Sequence, residues 1–433
     1  MRDILLTLLV FGSLPFILRQ PYLGILVWSW LSYMNPHRLT WGFAYDLPFA
    51  QIVAITLFIS ILINKESKRI PIDGTVAIWI IFLLWMVVTT INAIYVPFAV
   101  DHLILIFKIQ IITFLTMMLI TDQEKLKQLI WIIVISIGFF SVKGGIFTIL
   151  SGGSFRVWGP ESSFIEDNNA LALTTLMIIP LIVYLYTVSK SKVIRYSLLF
   201  CALMSFAAVF GSQSRGALLA ILAVSFFFWL KSRTKFITGT AVILLLVIGI
   251  NFMPESWHER MDTIQNYEQD ASAMGRINAW KYSVNIANDR ITGGGLNSWS
   301  AITYEIYSPE ALSVLVAHSI YFNVLADHGW PGLIMFLGIL FLTWRTLTKI
   351  IKYTDKIPMS REMKNYNMLA KMIQVSLIAY LSGGAFLSLS YFDLPWHLIA
   401  MTVLIKFQIK ELASYKHDSY MQGKLNRNSI VEQ

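Results

Sequence analysis

His318 opens the stretch His318-Ser319-Ile320-Tyr321-Phe322-Asn323-Val324-Leu325-Ala326-Asp327, which closes on His328-Gly329-Trp330-Pro331-Gly332. At 3.6 residues per turn, His318, Tyr321, Phe322 and Leu325 would share one helix face, setting an imidazole against an apolar ligand. Imidazole is the side chain best suited to accept a proton near neutral pH. The other histidines (His37, His102, His258, His328, His397 and His417) carry no such pattern and read as structural. A second group consists of cations at odds with their surroundings. Arg215 follows Ser212-Gln213-Ser214 and starts an apolar run, where a positive charge opposes the helix dipole and calls for an anionic partner. Lys108 and Lys143 interrupt apolar runs, and Gly144-Gly145 beside Lys143 permits close backbone approach. With Arg156 and Arg276 they suggest a phosphorylated lipid as ligand, because guanidinium forks bind phosphate bidentately and lysine adds a point charge. Glu161, Glu166 and Asp167 match no metal-ligand spacing. Neither a metal nor a cofactor is expected.

Composition identifies the elements that must position these groups. Hydrophobic residues make up 56% of the 433 and charged residues 14%, with mean hydropathy +0.63, whereas a soluble domain keeps about a quarter of its residues charged. The apolar runs approach the ~20 residues that one bilayer crossing needs, and only helices satisfy their own backbone in lipid. The alternating ~10-residue segments of a membrane barrel are missing. The fold class is therefore an all-α polytopic membrane protein. Cys201 lies within an apolar run and reads as a packing residue. The first residues resemble a signal peptide but lack a small-x-small cleavage site, and they are read as retained.

Apolar runs fall at about 3–34 (interrupted), 49–63, 75–94, 102–120, 128–150, 169–188, 196–211, 215–230, 236–252, 331–349, 368–390 and 394–409. Every second connection is basic: Lys65, Lys68 and Arg69; Lys125 and Lys127; Lys190, Lys192 and Arg195; Lys231, Arg233 and Lys235; then Arg345 to Lys371 and the tail. The positive-inside rule assigns these to the cytoplasm. The net charge of +9 is thus a topology signal rather than a nucleic-acid footprint. Both termini are expected in the cytoplasm, with residues 1–34 making one broken crossing and twelve crossings in all. Four outer connections remain, at roughly 151–168, 211–215, 253–330 and 391–393. The long one carries expected helices near 276–288 and 309–327, separated by Gly293-Gly294-Gly295. The division that follows is 1–195, N-terminal spans; 196–345, a core containing the loop 253–330; 346–410, C-terminal spans; and 411–433, a disordered cytoplasmic tail.

His318-Ser319, followed by Gly329-Trp330-Pro331-Gly332, resembles one signature of the bacterial O-antigen ligase family, and Arg215-x-x-x-Leu219 resembles another. Val142-Lys143-Gly144-Gly145, Arg156-Val157-Trp158-Gly159-Pro160, Asp167-Asn168-Asn169 and Arg276-Ile277-Asn278-Ala279-Trp280 look like a subfamily of O-glycosylation ligases found with exosortase systems. The resemblance implies a type C glycosyltransferase of the Gram-negative inner membrane. Such an enzyme moves a glycan from undecaprenyl diphosphate to lipid A–core at the periplasmic face, without metal and with inversion. The subfamily likeness widens the acceptor to a protein or another glycan. In this scheme His318 is the catalytic base, while Arg215, Arg156, Arg276 and Lys143 bind the lipid-linked donor. Two close rivals share the donor: an O-antigen polymerase and a protein O-oligosaccharyltransferase. A lipid-linked glycan transporter would require midplane charges and an internal repeat, and neither is evident.

Overall fold

The computed structural model describes residues 1–65, 69–232, 234–262, 271–356 and 360–431, so Lys68 and Arg233 of the basic connections lie outside it. Among the described residues there is no strand. The helices are α1 (Arg2–Arg19), α2 (Pro21–Met34), α3 (Phe49–Ile63), α4 (Gly74–Ile91), α5 (Val96–Leu119), α6 (Gln123–Leu150), α7 (Asn168–Val188) and α8 (Lys192–Gly211). They continue as α9 (Arg215–Lys231), α10 (Lys235–Phe252), α11 (Glu255–Asp262), α12 (Ala271–Asp289), α13 (Ala301–Tyr307), α14 (Ile320–Lys356), α15 (Arg361–Gly383) and α16 (Asp393–Val431). Eight of the described helices are long and apolar enough to cross a membrane, and α3 is a shorter apolar helix. The chain is an all-α polytopic membrane protein.

The connections sort to two ends. At one end Gln123 donates to the Glu362 carbonyl (3.1 Å) and Lys406 meets Asp73 (2.6 Å), joining the starts of α6, α15 and α4 to α16. This basic end carries the Lys- and Arg-rich turns. At the other end the Ile94 amide donates to the Gly294 carbonyl (2.9 Å), the Val157 amide to that of Gly211 (3.0 Å), and the Ser390 hydroxyl to that of Ile320 (3.1 Å). This loop end carries α11, α12 and α13. Helix α7 runs through the centre, packed by α6, α8, α9 and α15, which explains why it is buried along most of its length.

The first 34 residues depart from the expected single broken crossing. Gln20 is extended (φ −136°, ψ 93°), and Pro21 starts α2 at a position where its missing N–H costs nothing. The chain therefore doubles back. The Ser60 hydroxyl donates to Ile17 (2.5 Å) and the Asn64 amide to Leu18 (2.8 Å), tying the turn to the basic end of α3. The amides of Gly42 and Ala44 donate to Asp3 (3.1 Å each), and Arg2 donates to the Leu39 carbonyl (3.3 Å). Residue 1 thus lies at the loop end, opposite to the expected side, and Arg19 takes the place at the basic end that had been given to Arg2. The tail also differs: α16 continues to Val431, through a proline-free stretch that contains many good helix formers.

A break in α14 connects the long loop to the spans. Gly329 adopts φ 65°, ψ −173°, dividing the helix into 320–328 and a longer second part. Pro331 has no N–H for the carbonyl four residues back, that of Asp327. The glycine run supplies the missing donors: the Gly294 amide bonds Ala326 (2.8 Å) and the Gly295 amide bonds Asp327 (3.1 Å). Gly293 and Gly295 have positive φ, and a Cβ on Gly293 would stand 2.5 Å from the Ala326 oxygen. Only glycine lets this backbone approach so closely. Arg290 fastens the run by donating to Gly293 (3.0 Å) and to Asn92 (2.6 Å).

Candidate active site

Two loop-end connections position Arg215. The Asn168 side chain donates to the Ser212 carbonyl (2.6 Å) and Gln213 to that of Gly153 (3.0 Å), locking the 211–214 turn against the 151–167 connection. The Ser214 hydroxyl accepts from the Ala217 amide (3.1 Å), capping α9. Arg215 is its first residue, half-buried. Next to it Gly216 packs on Phe386, while Gly384 packs on Ile320. The 384–386 turn thus spans the gap between Arg215 and the segment carrying His318.

His318 lies just ahead of α14 rather than within it. Its φ of 44° is left-handed, and the helix begins at Ile320. The expected helix over 309–327 is therefore half correct. Ser300 and Thr303 form a capping box that starts α13 upstream, α13 ends at Tyr307, and residues 308–319 are irregular. Pro309 lies in that stretch, where it cannot continue a helix. Trp280 of α12 holds this segment in place: its indole donates to the Ala317 carbonyl (2.9 Å), and its ring stacks on Phe322 at 5.0 Å. Arg276 lies one turn before Trp280 on the same face of α12, next to His318. Asp167 also acts on the His318 charge, while its carboxylate caps α7 by accepting from Asn169 and Ala170. His318 is half-buried. Burial pushes its imidazole below the ordinary value of 6.5, Arg276 pushes it the same way, and Asp167 opposes both. The ring is consequently neutral at pH 7 and able to accept a proton. Adjacent Ser319 is buried, and its hydroxyl has no hydrogen-bond partner among the described residues.

The other sequence-derived candidates divide. Arg156 is exposed on the 151–167 connection, beside buried Val157, which docks that connection on Gly211. Lys143 stands apart: it is exposed on the flank of α6, among residues of α1, α2 and α8. Of the three acidic residues considered for metal, Glu166 accepts from the Ser162 amide (2.9 Å), Asp167 caps α7 and Glu161 is exposed. Asp327, an acid close to the motif, is 2% exposed and accepts from Asn323 (2.6 Å) and Tyr391 (2.9 Å). His328 is fully buried, paired with Thr89 (2.7 Å) and edge-on to Phe82. Both are core groups. Trp280 and Asp167 are the site residues that pattern reading missed in these roles. The Arg276–Trp280 spacing of four is the available signal for the first, while Asp167 enters the sequence reading only among the metal candidates and in the Asp167-Asn168-Asn169 stretch.

The fold defines a class: an all-α polytopic membrane protein whose loop end carries a half-buried imidazole under the influence of Arg276 and Asp167. Residues 199–337 match the family described as O-Antigen ligase. The chain thus carries an O-antigen ligase family domain, which supports a glycosyltransferase function of the ligase or polymerase type. Residues 1–190 match a Family of unknown function (DUF5935). No curated protein matches the chain. Arg215, Arg276 and His318 fall within the ligase match, whereas Arg156 and Asp167 belong to the N-terminal one, so the site draws on both.

Proposed function

We propose that this protein is an O-antigen ligase of the bacterial inner membrane, transferring a finished glycan from undecaprenyl diphosphate to lipid A–core at the periplasmic face. The observation that carries the reading is His318, half-buried at the loop end inside the ligase-family domain, where burial and Arg276 push its imidazole toward the neutral form against the pull of Asp167. In the reaction, the imidazole removes the proton of the acceptor hydroxyl. That oxygen attacks the anomeric carbon from the face opposite the diphosphate. The anomeric C–O bond breaks, its electron pair leaves on undecaprenyl diphosphate, and the configuration inverts. Arg215, Arg276 and Arg156 stabilise the departing charge, the role preorganised cations play in such displacements. Charge neutralisation by guanidinium groups makes a metal unnecessary in this scheme.

The test is transfer by purified His318→Ala with lipid-linked glycan and three acceptors: lipid A–core, a second lipid-linked glycan, and a protein. General-base catalysis is worth about 10²–10⁴-fold, and a loss of that order with donor binding retained is expected. Lipid A–core should be the acceptor used. Exposed His102 and half-buried His258 serve as control positions. His328 does not, because its buried ring is part of the core. A His318→Ala enzyme that keeps most of its transfer rate would remove the base assignment.

A further inference from the structure

Lys143 has no part in the constellation around His318, yet it lies where two apolar grooves meet. The first, of about 650 Å³, runs between α6 and α8 and is lined by Trp131, Ile135, Gly138, Phe139, Ile194 and Cys201 along with Lys143. The second, of about 440 Å³, lies between α6 and the α1–α2 hairpin; Arg2, Leu5, Leu9, Trp30 and Leu39 line it with Phe139 and Lys143. Both volumes fall within the range of ligand sites, ~300–1,000 Å³. From Lys143 down to Trp131 the α6 groove is ~18 Å long at the helical rise, slightly more than one leaflet of a ~30 Å hydrocarbon core. That is the depth of a single acyl chain.

The charges at this junction are positive. Lys143 lies about two turns from the loop end of α6, where its aliphatic stem can follow the groove while its ammonium reaches the headgroup level. Arg2 lies on the neighbouring groove, its guanidinium 4.8 Å over the Trp41 ring and donating to the Leu39 carbonyl. A guanidinium has five donors, so this contact leaves capacity for a phosphate. The nearby acid, Asp3, is turned to the amides of Gly42 and Ala44. A cation inside an apolar run is costly and needs a counter-ion, and among the described residues no acidic side chain lines either groove.

We propose that these two grooves hold one anionic phospholipid, with its phosphate between Lys143 and Arg2 and one acyl chain in each groove. The occupant is a resident bilayer lipid rather than the reacting donor. A donor must present its glycan to His318, and none of the lining residues is among those that meet His318. The bound lipid would brace the α1–α2 hairpin against α6 and α8. This inference depends on no step of the proposed reaction.

The experiment uses the full chain in nanodiscs and native mass spectrometry, with phosphatidylglycerol and phosphatidylcholine of identical acyl chains as probes. The parent should retain phosphatidylglycerol in preference to phosphatidylcholine. Lys143→Gln and Arg2→Gln should each weaken that retention about fivefold, the usual worth of one basic side chain at an anionic headgroup. Ile135→Trp, which fills the first groove from an exposed position without changing charge, should also weaken it. Equal retention of the two lipids by the parent, or unchanged retention in the Lys143→Gln/Arg2→Gln double variant, would overturn the proposal. Displacement of bound phosphatidylglycerol by equimolar undecaprenyl phosphate would overturn it too, reassigning the grooves to the donor.

Discussion

Replacing Gly329 by alanine probes the joint that sets His318 and the long loop on the bundle. At φ 65°, ψ −173° the backbone occupies a region essentially reserved for glycine, and holding another residue there costs ~1–3 kcal/mol. The new Cβ would stand 2.2 Å from the Ile291 oxygen and 3.1 Å from the Gly293 nitrogen, so the 291–295 segment must withdraw. Withdrawal breaks the Gly294–Ala326 and Gly295–Asp327 hydrogen bonds. Each is worth ~1 kcal/mol net, and more if its carbonyl is left buried and unpaired. The total is ~3–5 kcal/mol, a large part of a typical folding free energy of ~5–15 kcal/mol. Gly338→Ala is the matched control, since it lies in the same helix and a Cβ there meets nothing within 4 Å. It should be neutral or stabilising by up to ~1 kcal/mol. Steric trapping of the detergent-solubilised protein measures both. A Gly329→Ala protein within ~1 kcal/mol of the parent, or a Gly338→Ala protein equally damaged, would refute the account of the break.

Further outcomes follow from the same geometry. His318 must be neutral to act and its pKa is depressed, so the transfer rate should fall as pH drops below the ordinary 6.5 and through the lowered value. Arg276→Gln removes a depressing charge and should move this acid limb of kcat/KM to higher pH; Asp167→Asn, which still caps α7, should move it lower. Limbs that stay fixed, or that shift together, would contradict the placement of the two charges. Arg215→Lys should transfer glycan well below the parental rate at matched expression, because one ammonium cannot reproduce a bidentate fork on the diphosphate; a parental rate would make Arg215 purely structural. Compartment-sensitive reporters after Lys127, Lys192 and Lys410 should report cytoplasm, and those near Ser162 and ahead of Met1 the opposite side. A cytoplasmic report ahead of Met1 would restore the single broken crossing in place of the α1–α2 hairpin.

Composition and charge alone made the membrane class and most spans legible, and the reason is solvation. Lipid cannot hydrogen-bond to backbone, so each crossing must be a long uninterrupted apolar helix, visible in one dimension. Local chemistry also showed through. Gly329 and Pro331 marked a helix end, and Arg215 was legible as the start of a helix, whereas the capping by Ser214 and Asp167 appears only in the structure. Arg276 and Trp280, four apart, carried their common face in their spacing.

Events between distant segments were not legible. Residues 1–34 look like one interrupted run, because hydropathy does not record whether a chain kinks or reverses at Gln20-Pro21. The bonds from Ser60, Asn64 and Asp3, contributed by other parts of the fold, decide that it reverses. The 309–319 segment has residues that permit a helix, yet Trp280 grips Ala317 and His318 turns left-handed. Lys143, Arg156, Arg215 and Arg276 were alike in sequence as cations out of place. Charge is a property of the residue, but its neighbours are a property of the packing. Only the fold could bring the charges of Arg276 and Asp167 to bear on His318 and leave Lys143 exposed where α6 meets α8 and the α1–α2 hairpin.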